Sequence, residues 1–199
     1  MTEMYSAGIM SQSFWFVEFK KILKLSADGK DNDEIKNEII NNNAFGLPNA
    51  YRTGRVCVYL MNRYSQMDET LIKLFFSSDL QTQKLINLIC ILRQDRLFFE
   101  FIYEVYREKK MIGAEFLEAA DGKTFMHTKE MQSEDVASWK DATKKRVLSC
   151  YYNFLTECGM LTADGRKRKI TPPILDIALE RYLEANGEIA IAKAIAGVY

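Results

Sequence analysis

Residues 79–109 read DLQTQKLINLICILRQDRLFFEFIYEVYREK, and this stretch decides the fold. From Leu85 to Tyr106 it is apolar almost all round, broken at Arg93, Gln94, Asp95 and Arg96. One polar stripe continues beyond the break at Arg96, Glu100, Glu104 and Arg107/Glu108. Spacings of three and four residues are helical, and a helix with so narrow a polar stripe must be surrounded by other protein. The stretch therefore reads as a buried central helical hairpin, with Asp79 capping the first helix and Asp95 the second. It organises a core and carries no chemistry.

Toward the N-terminus the pattern stays helical. A first helix is expected from Ser11 or Ser13 to near Gly29, with Trp15, Phe19, Ile22 and Leu23 as its apolar repeat and Asp28-Gly29 as its stop. Asp31 followed by Glu34 has capping-box form and opens a second helix through Ile35, Ile39 and Ile40. A third helix runs from about Asn49 to Ser65, burying Val56, Leu60 and Tyr64, while Arg52, Arg55, Tyr59 and Arg63 fall largely on another side. Three short helices ending in an arginine-bearing one form a helix-turn-helix-like unit, whose last helix can enter a DNA groove. Arginines solvated on an amphipathic helix are the plainer reading of the same residues. A short helix from Asp68 to about Ser77 precedes the central hairpin.

Beyond Gly113 two short helices, 114–120 and 124–132, are expected on either side of Asp121-Gly122. A longer helix follows, with Ser138 and Asp141 resembling another capping box and Trp139, Val147, Tyr151, Phe154 and Leu155 as its contacts. MLTADGRKRKIT then reads as a β-hairpin turning at Asp164-Gly165. Helices, a longer helix and a hairpin are the order of a winged helix. The long helix opens with Lys140, Lys144, Lys145 and Arg146, and the wing tip is Arg166, Lys167, Arg168 and Lys169. Both sets can meet phosphates together, and a solvated basic turn is the alternative. After Thr171-Pro172-Pro173 comes a last helix carrying Ile174, Ile177, Ala178 and Leu179, then the apolar tail EIAIAKAIAGVY, which either packs on the core or forms a partner interface.

The predicted architecture is all-α and two-lobed. Residues 1–110 hold the helix-turn-helix-like unit and the central hairpin, and residues 111–199 hold a winged-helix-like unit with one short β-hairpin. At 199 residues and 48% hydrophobic content the chain can bury one sizeable core or two sharing an interface.

Composition excludes several functions. No apolar run reaches the roughly 18 residues a membrane span requires, and the N-terminus lacks a secretory signal, so a cytoplasmic protein is expected. Cys57, Cys90, Cys150 and Cys158 have no C-x-x-C spacing, which points to buried free thiols in a reducing compartment. Walker, G-x-G-x-x-G, nucleophile-elbow and H-E-x-x-H motifs are absent, and His127 stands alone. The reading is a non-enzyme with no metal and no small-molecule cofactor. Formal charge is zero, with 27 basic and 27 acidic residues, yet the segment from Ser138 to Pro173 carries eight basic residues against three acidic ones. That segment is plus five, and the remainder minus five.

The chain resembles the BrxA family of bacterial BREX phage-defence systems. The resemblance covers most of the sequence. It rests on Tyr5-Ser6-Ala7-Gly8 and Ser13-Phe14, on Ala27-Asp28-Gly29 before Ile35, and on Leu92-Arg93-Gln94-Asp95-Arg96-Leu97 continuing to Phe101 and Arg107-Glu108-Lys109. It extends through Trp139, Thr143-Lys144-Lys145-Arg146, Glu157-Cys158-Gly159-Met160-Leu161 and Ile170-Thr171-Pro172-Pro173. It implies a small, nearly all-helical, two-lobed protein, similar in part to the NusB helical fold. It further implies one that binds double-stranded DNA without catalysis, beside a methyltransferase and large ATPase-type components. On this reading the DNA contacts fall to the wing and the start of the long helix, with Arg52, Arg55 and Arg63 as the second candidate set. A protein–protein adaptor docking other BREX components is the alternative.

Overall fold

The computed structural model describes residues 4–165 and 167–197. Helices α1 (Phe16–Ala27), α2 (Asn32–Ile40) and α3 (Ala50–Tyr64) pack on one another and lead into α4 (Glu69–Ser77), α5 (Leu80–Leu92) and α6 (Arg96–Phe101). A π-turn, Ile102–Tyr106, carries α6 into α7 (Arg107–Met111) without a break. There follow α8 (Ala119–Gln132), α9 (Glu134–Ser138), α10 (Asp141–Glu157), the strands β1 (Leu161–Asp164) and β2 (Lys167–Ile170), then α11 (Ile177–Ala185) and α12 (Ile189–Ala196). The fold is all-α apart from the β1–β2 hairpin. Among the described residues no helix is long and apolar enough to cross a membrane.

Every residue from Leu85 to Leu92 is buried, which is what the all-round apolar pattern demands of α5. Short polar side chains start most of the neighbouring helices. Asp31, Asn49, Asp68, Asp79, Asp95 and Asp176 each accept a backbone N–H two or three residues on, and Asp31 with Glu34 completes a capping box.

One hydrophobic cluster runs from Ile9 to Ile195. Its joint between α6 and α10 is aromatic: Phe98 stacks on Tyr151 with centroids 4.5 Å apart, Phe154 meets Phe98 at 5.9 Å, and Phe14 meets Phe154 at 5.9 Å. Lys129 of α8 reaches Glu100 at 2.6 Å and Glu104 at 2.7 Å, and Arg93 reaches Glu188 at 2.5 Å. The C-terminal tail closes the other side. Ile191, Ala192, Ala194 and Ile195 are buried, and α12 packs on the π-turn and α7.

Several expected boundaries move. The first helix starts at Phe16, since Ser11 and Ser13 lie in a non-helical strap that Trp15 ends at φ 45°. Asp121-Gly122 lies inside α8, where Asp121 completes a capping box with Glu118. A Cβ at Gly122 would collide with the Tyr152 hydroxyl, so this glycine serves a close approach of α10. Ser138 ends α9, and Lys140, without a side-chain cap, precedes α10. In the hairpin Asp164 pairs with Lys167, so Asp164 belongs to the ladder and the reversal falls beyond it, later than expected. Gly165 has the positive φ, +59°, that such a turn needs. A short extended segment also joins β2, with Leu117 N–H donating to Arg168 O and Ile170 N–H to Glu115 O, each at 2.9 Å. Ile174 and Ile177, assigned to an apolar face, are 93% and 65% exposed, and Leu179 alone of that set is buried.

The cap of α6 makes the stability depend on pH. Asp95 accepts the Phe98 N–H at 2.8 Å, and burial beside Tyr151 pushes its carboxyl up to about 6. A folded-state pKa above the unfolded value means that the native protein holds the proton more tightly, so this stability is complete below about pH 4 and lost as pH rises through about 6. Asp95→Asn keeps an N-cap acceptor and removes the charge. Thermal melts from about pH 4 to about pH 8 are expected to show the parent falling relative to Asp95→Asn as pH rises.

Candidate nucleic-acid interface

On α3 the residues Tyr51, Arg55, Tyr59 and Arg63 recur every fourth position and form one row along the helix. The row has two ends with different duties. Arg63, expected on an exposed face, is 1% exposed, and this corrects its assignment as a DNA contact. Its guanidinium donates to Phe14 O at 2.6 Å, Ser13 O at 2.8 Å and Gln12 Oε1 at 3.0 Å. Nε of the same group has no partner, and burial pushes its pKa down to about 10. The strap thus folds over α3 and places Trp15 within reach of the row. Trp15 stacks on Tyr59 with centroids 6.0 Å apart and 25° between planes, and the Arg63 guanidinium lies 5.7 Å from the Trp15 ring.

The other end of the row is open. Tyr51 is 75% exposed, and Arg52 and Arg55 are exposed beside it. Hydrogen bonding to Tyr59 raises the Arg55 pKa above its ordinary value. These residues face Arg146 of α10 across a cleft of about 380 Å³, with Trp15, Tyr59 and the strap as its remaining wall. The lining contains no acidic residue. The arginines of α3 and one member of the α10 basic set therefore share one surface.

The remaining basic residues divide by what holds them. Lys144 is bound to Glu130 at 2.8 Å and Lys169 to Glu115 at 3.3 Å. Lys167 lies over the Phe116 ring at 4.8 Å and Arg168 over Tyr152 at 4.2 Å, so aromatic rings rather than carboxylates position both. Among the described residues Arg52, Arg55, Lys140, Lys145 and Arg146 have no carboxylate partner. Arg166 lies outside the described residues. A second groove, of about 320 Å³, sits at the far end of α10 between Asn153, Thr156 and Glu157 and the hairpin residues Lys167 and Arg168, two cations against one carboxylate. From Arg146 to Thr156 the helix advances about 15 Å, along exposed Ser149 and Asn153. The two clefts are thus linked by one polar helix face.

Tyr51 and Trp15 were not legible as site residues, although the four-residue row on α3 was the available signal for Tyr51. Trp15 carries the signature of a core residue, and only the strap's return over Arg63 brings it to the cleft.

A family model described as BrxA matches residues 3–187 of the chain. The chain is 34% identical over 186 residues to a curated protein of Bacillus cereus (strain H3081.97) named BREX protein BrxA, covering 94% of this chain and 93% of that one. A crystal structure of an uncharacterized protein from Magnetospirillum magneticum is similar with a TM-score of 0.80 at 19% identity, over 97% of this chain and 98% of the other. At that identity the likeness is one of fold.

Arg63→Met keeps most of the side-chain volume and removes the donors to the strap. Denaturant unfolding is expected to show a loss of about 3 kcal/mol, the scale of several buried carbonyl groups left without a partner. A matching loss on Arg52→Met would contradict the division of the row into a structural end and an open end.

Proposed function

Because the chain belongs to the BrxA family of BREX phage-defence systems, we propose that it is a non-catalytic, cytoplasmic subunit that binds double-stranded DNA mainly through phosphates. The observation that carries this reading is the polar face of α10, which runs from the Arg52/Arg55/Arg146 cleft past Ser149 and Asn153 to the hairpin with Lys167 and Arg168. Two groups of cations without carboxylate partners, held about 15 Å apart at the ends of one helix face with uncharged Ser149 and Asn153 between them, suit two separated phosphates of one duplex. Element order supports the same reading. A helix, the extended segment at Glu115–Leu117, two further helices, α10 and the hairpin follow one another as in a winged helix, with the extended segment beside β2. In that geometry phosphate contacts position the protein and carry little sequence preference.

An adaptor role within the defence complex is the second reading. The C-terminal tail, whose apolar face packs on the core, does not favour it, but Ile174 at 93% and Ile177 at 65% exposure do. An adaptor would co-purify with its partner after nuclease treatment and would be indifferent to competitor DNA.

Fluorescence anisotropy with a labelled duplex of about 20 base pairs, titrated at several salt concentrations, tests the proposal. The affinity is expected to fall linearly with log salt. A variant with Arg166, Lys167, Arg168 and Lys169 changed to alanine should lose affinity and reduce the slope by about 1 for each phosphate contact removed. Unchanged binding by that variant would remove the hairpin from the interface, and absence of binding at low salt would leave the adaptor reading.

A further inference from the structure

We propose that the cleft between α3 and α10 binds a single nucleotide unit with an unstacked base, its phosphate held by Arg52, Arg55 and Arg146 and its base placed against the Tyr51 side of the cleft. Three guanidinium groups that face one space without a carboxylate repel one another, and an anion relieves that repulsion. Guanidinium forks match phosphate oxygens in geometry as well as in charge. The aromatic lining narrows the ligand further. Tyr51 leaves a ring 75% exposed next to the arginines, while Trp15 and Tyr59 stack on each other to form a flat wall. Rings beside arginines are the chemistry that receives a nucleobase on its π-face.

Size and backbone point the same way. A volume of about 380 Å³ lies at the small end of ligand pockets and suits one nucleotide, whereas a duplex keeps its base faces stacked inside. Trp15 holds φ 45° and ψ 43°, a left-handed conformation that a bulky residue adopts only under strain. Arg63 holds that conformation in place through the strap, so the aromatic wall exists before any ligand arrives. The ligand is either a free nucleoside monophosphate or an unpaired 5′-phosphorylated strand end. The cleft is also one end of the face proposed for duplex DNA, but binding a nucleotide in it does not need the hairpin end, so a loss confined to the hairpin and a loss confined to the cleft distinguish the two readings.

The full chain carrying Trp139→Phe has Trp15 as its one tryptophan, since the sequence holds two. Its fluorescence is followed on titration with dAMP, inorganic phosphate, deoxyadenosine and a 5′-phosphorylated single-stranded pentamer of deoxyadenosine. Saturable quenching by dAMP is expected, at least about tenfold tighter than by phosphate or deoxyadenosine alone. Arg55→Ala and Arg146→Ala should each weaken it by about tenfold, Tyr51→Ala should weaken dAMP but not phosphate, and Lys167→Ala should change nothing. Arg55→Lys, which keeps the charge and loses the fork, should fall between parent and Arg55→Ala. Tighter binding of the pentamer assigns the cleft to a strand end, and equal or weaker binding assigns it to a free nucleotide. Equal affinity for phosphate and dAMP would overturn the base-binding half of the proposal. Absence of dAMP binding, or arginine variants that bind as the parent does, would overturn it entirely.

Discussion

The carbonyl oxygen of Phe14 takes hydrogen bonds from two buried side chains, Arg63 Nη1 at 2.6 Å and Asn87 Nδ2 at 2.9 Å. The rest of the architecture depends on that convergence. Because α5 is buried on every side, something must roof the face that helices α1 and α3 leave open, and the strap around residues 9–15 does so with Ile9 and Phe14. A strap without helical hydrogen bonds brings bare carbonyls into the core, and each costs free energy unless a donor meets it. Arg63 and Asn87 supply the donors from α3 and α5. In return a guanidinium is buried against neutral oxygens, and desolvation lowers its pKa to about 10, still well above neutrality. The charge therefore persists, and so does its grip on the strap.

A second constraint distributes the charge. Three joints between distant parts of the chain are built on cations of low exposure paired with carboxylates: Arg93 with Glu188, Lys129 with Glu100 and Glu104, and Lys144 with Glu130. Each joint takes carboxylates out of solvent to hold helices together. A formal charge of zero therefore describes the whole chain and not its faces. Acidic groups are spent at the joints, while the α3–α10 face keeps arginines and lysines without acidic partners among the described residues.

What the sequence revealed follows the range of the interactions involved. Caps at Asp31, Asp79 and Asp95 depend on atoms three residues apart, and all of them form. Burial of α5 was equally legible, because an apolar surface on all sides has one physical outcome. The failures came where a remote group decides. Asp121-Gly122 has turn chemistry, yet Tyr152 from α10 requires the missing Cβ and the helix continues through it. Ser11 and Ser13 look like caps, yet the strap there answers to Arg63, fifty residues away. Arg63 itself shares helical spacing with Arg55 and Tyr59, so periodicity alone could not place it inside. The meeting of Arg146 with Arg52 and Arg55 is wholly tertiary and left no trace in local pattern.

The α3 row shows how the fold and the surface chemistry are divided within one helix. Below Tyr59 the row serves packing, since Arg63 holds the strap and fixes Trp15. Above Tyr59, Arg55, Arg52 and Tyr51 are exposed, and among the described residues neither arginine forms an ion pair. Arg93, Lys129 and Lys144 are paired with carboxylates across helix joints, whereas the lining of this cleft brings three arginines together without one. Like charges held close together by rigid helices lower stability slightly, and a chain gains nothing in folding by keeping them. Their arrangement is instead what a surface needs if it is to receive a negative charge at low reorganisation cost, because α3 and α10 are fixed by the same core that the strap completes.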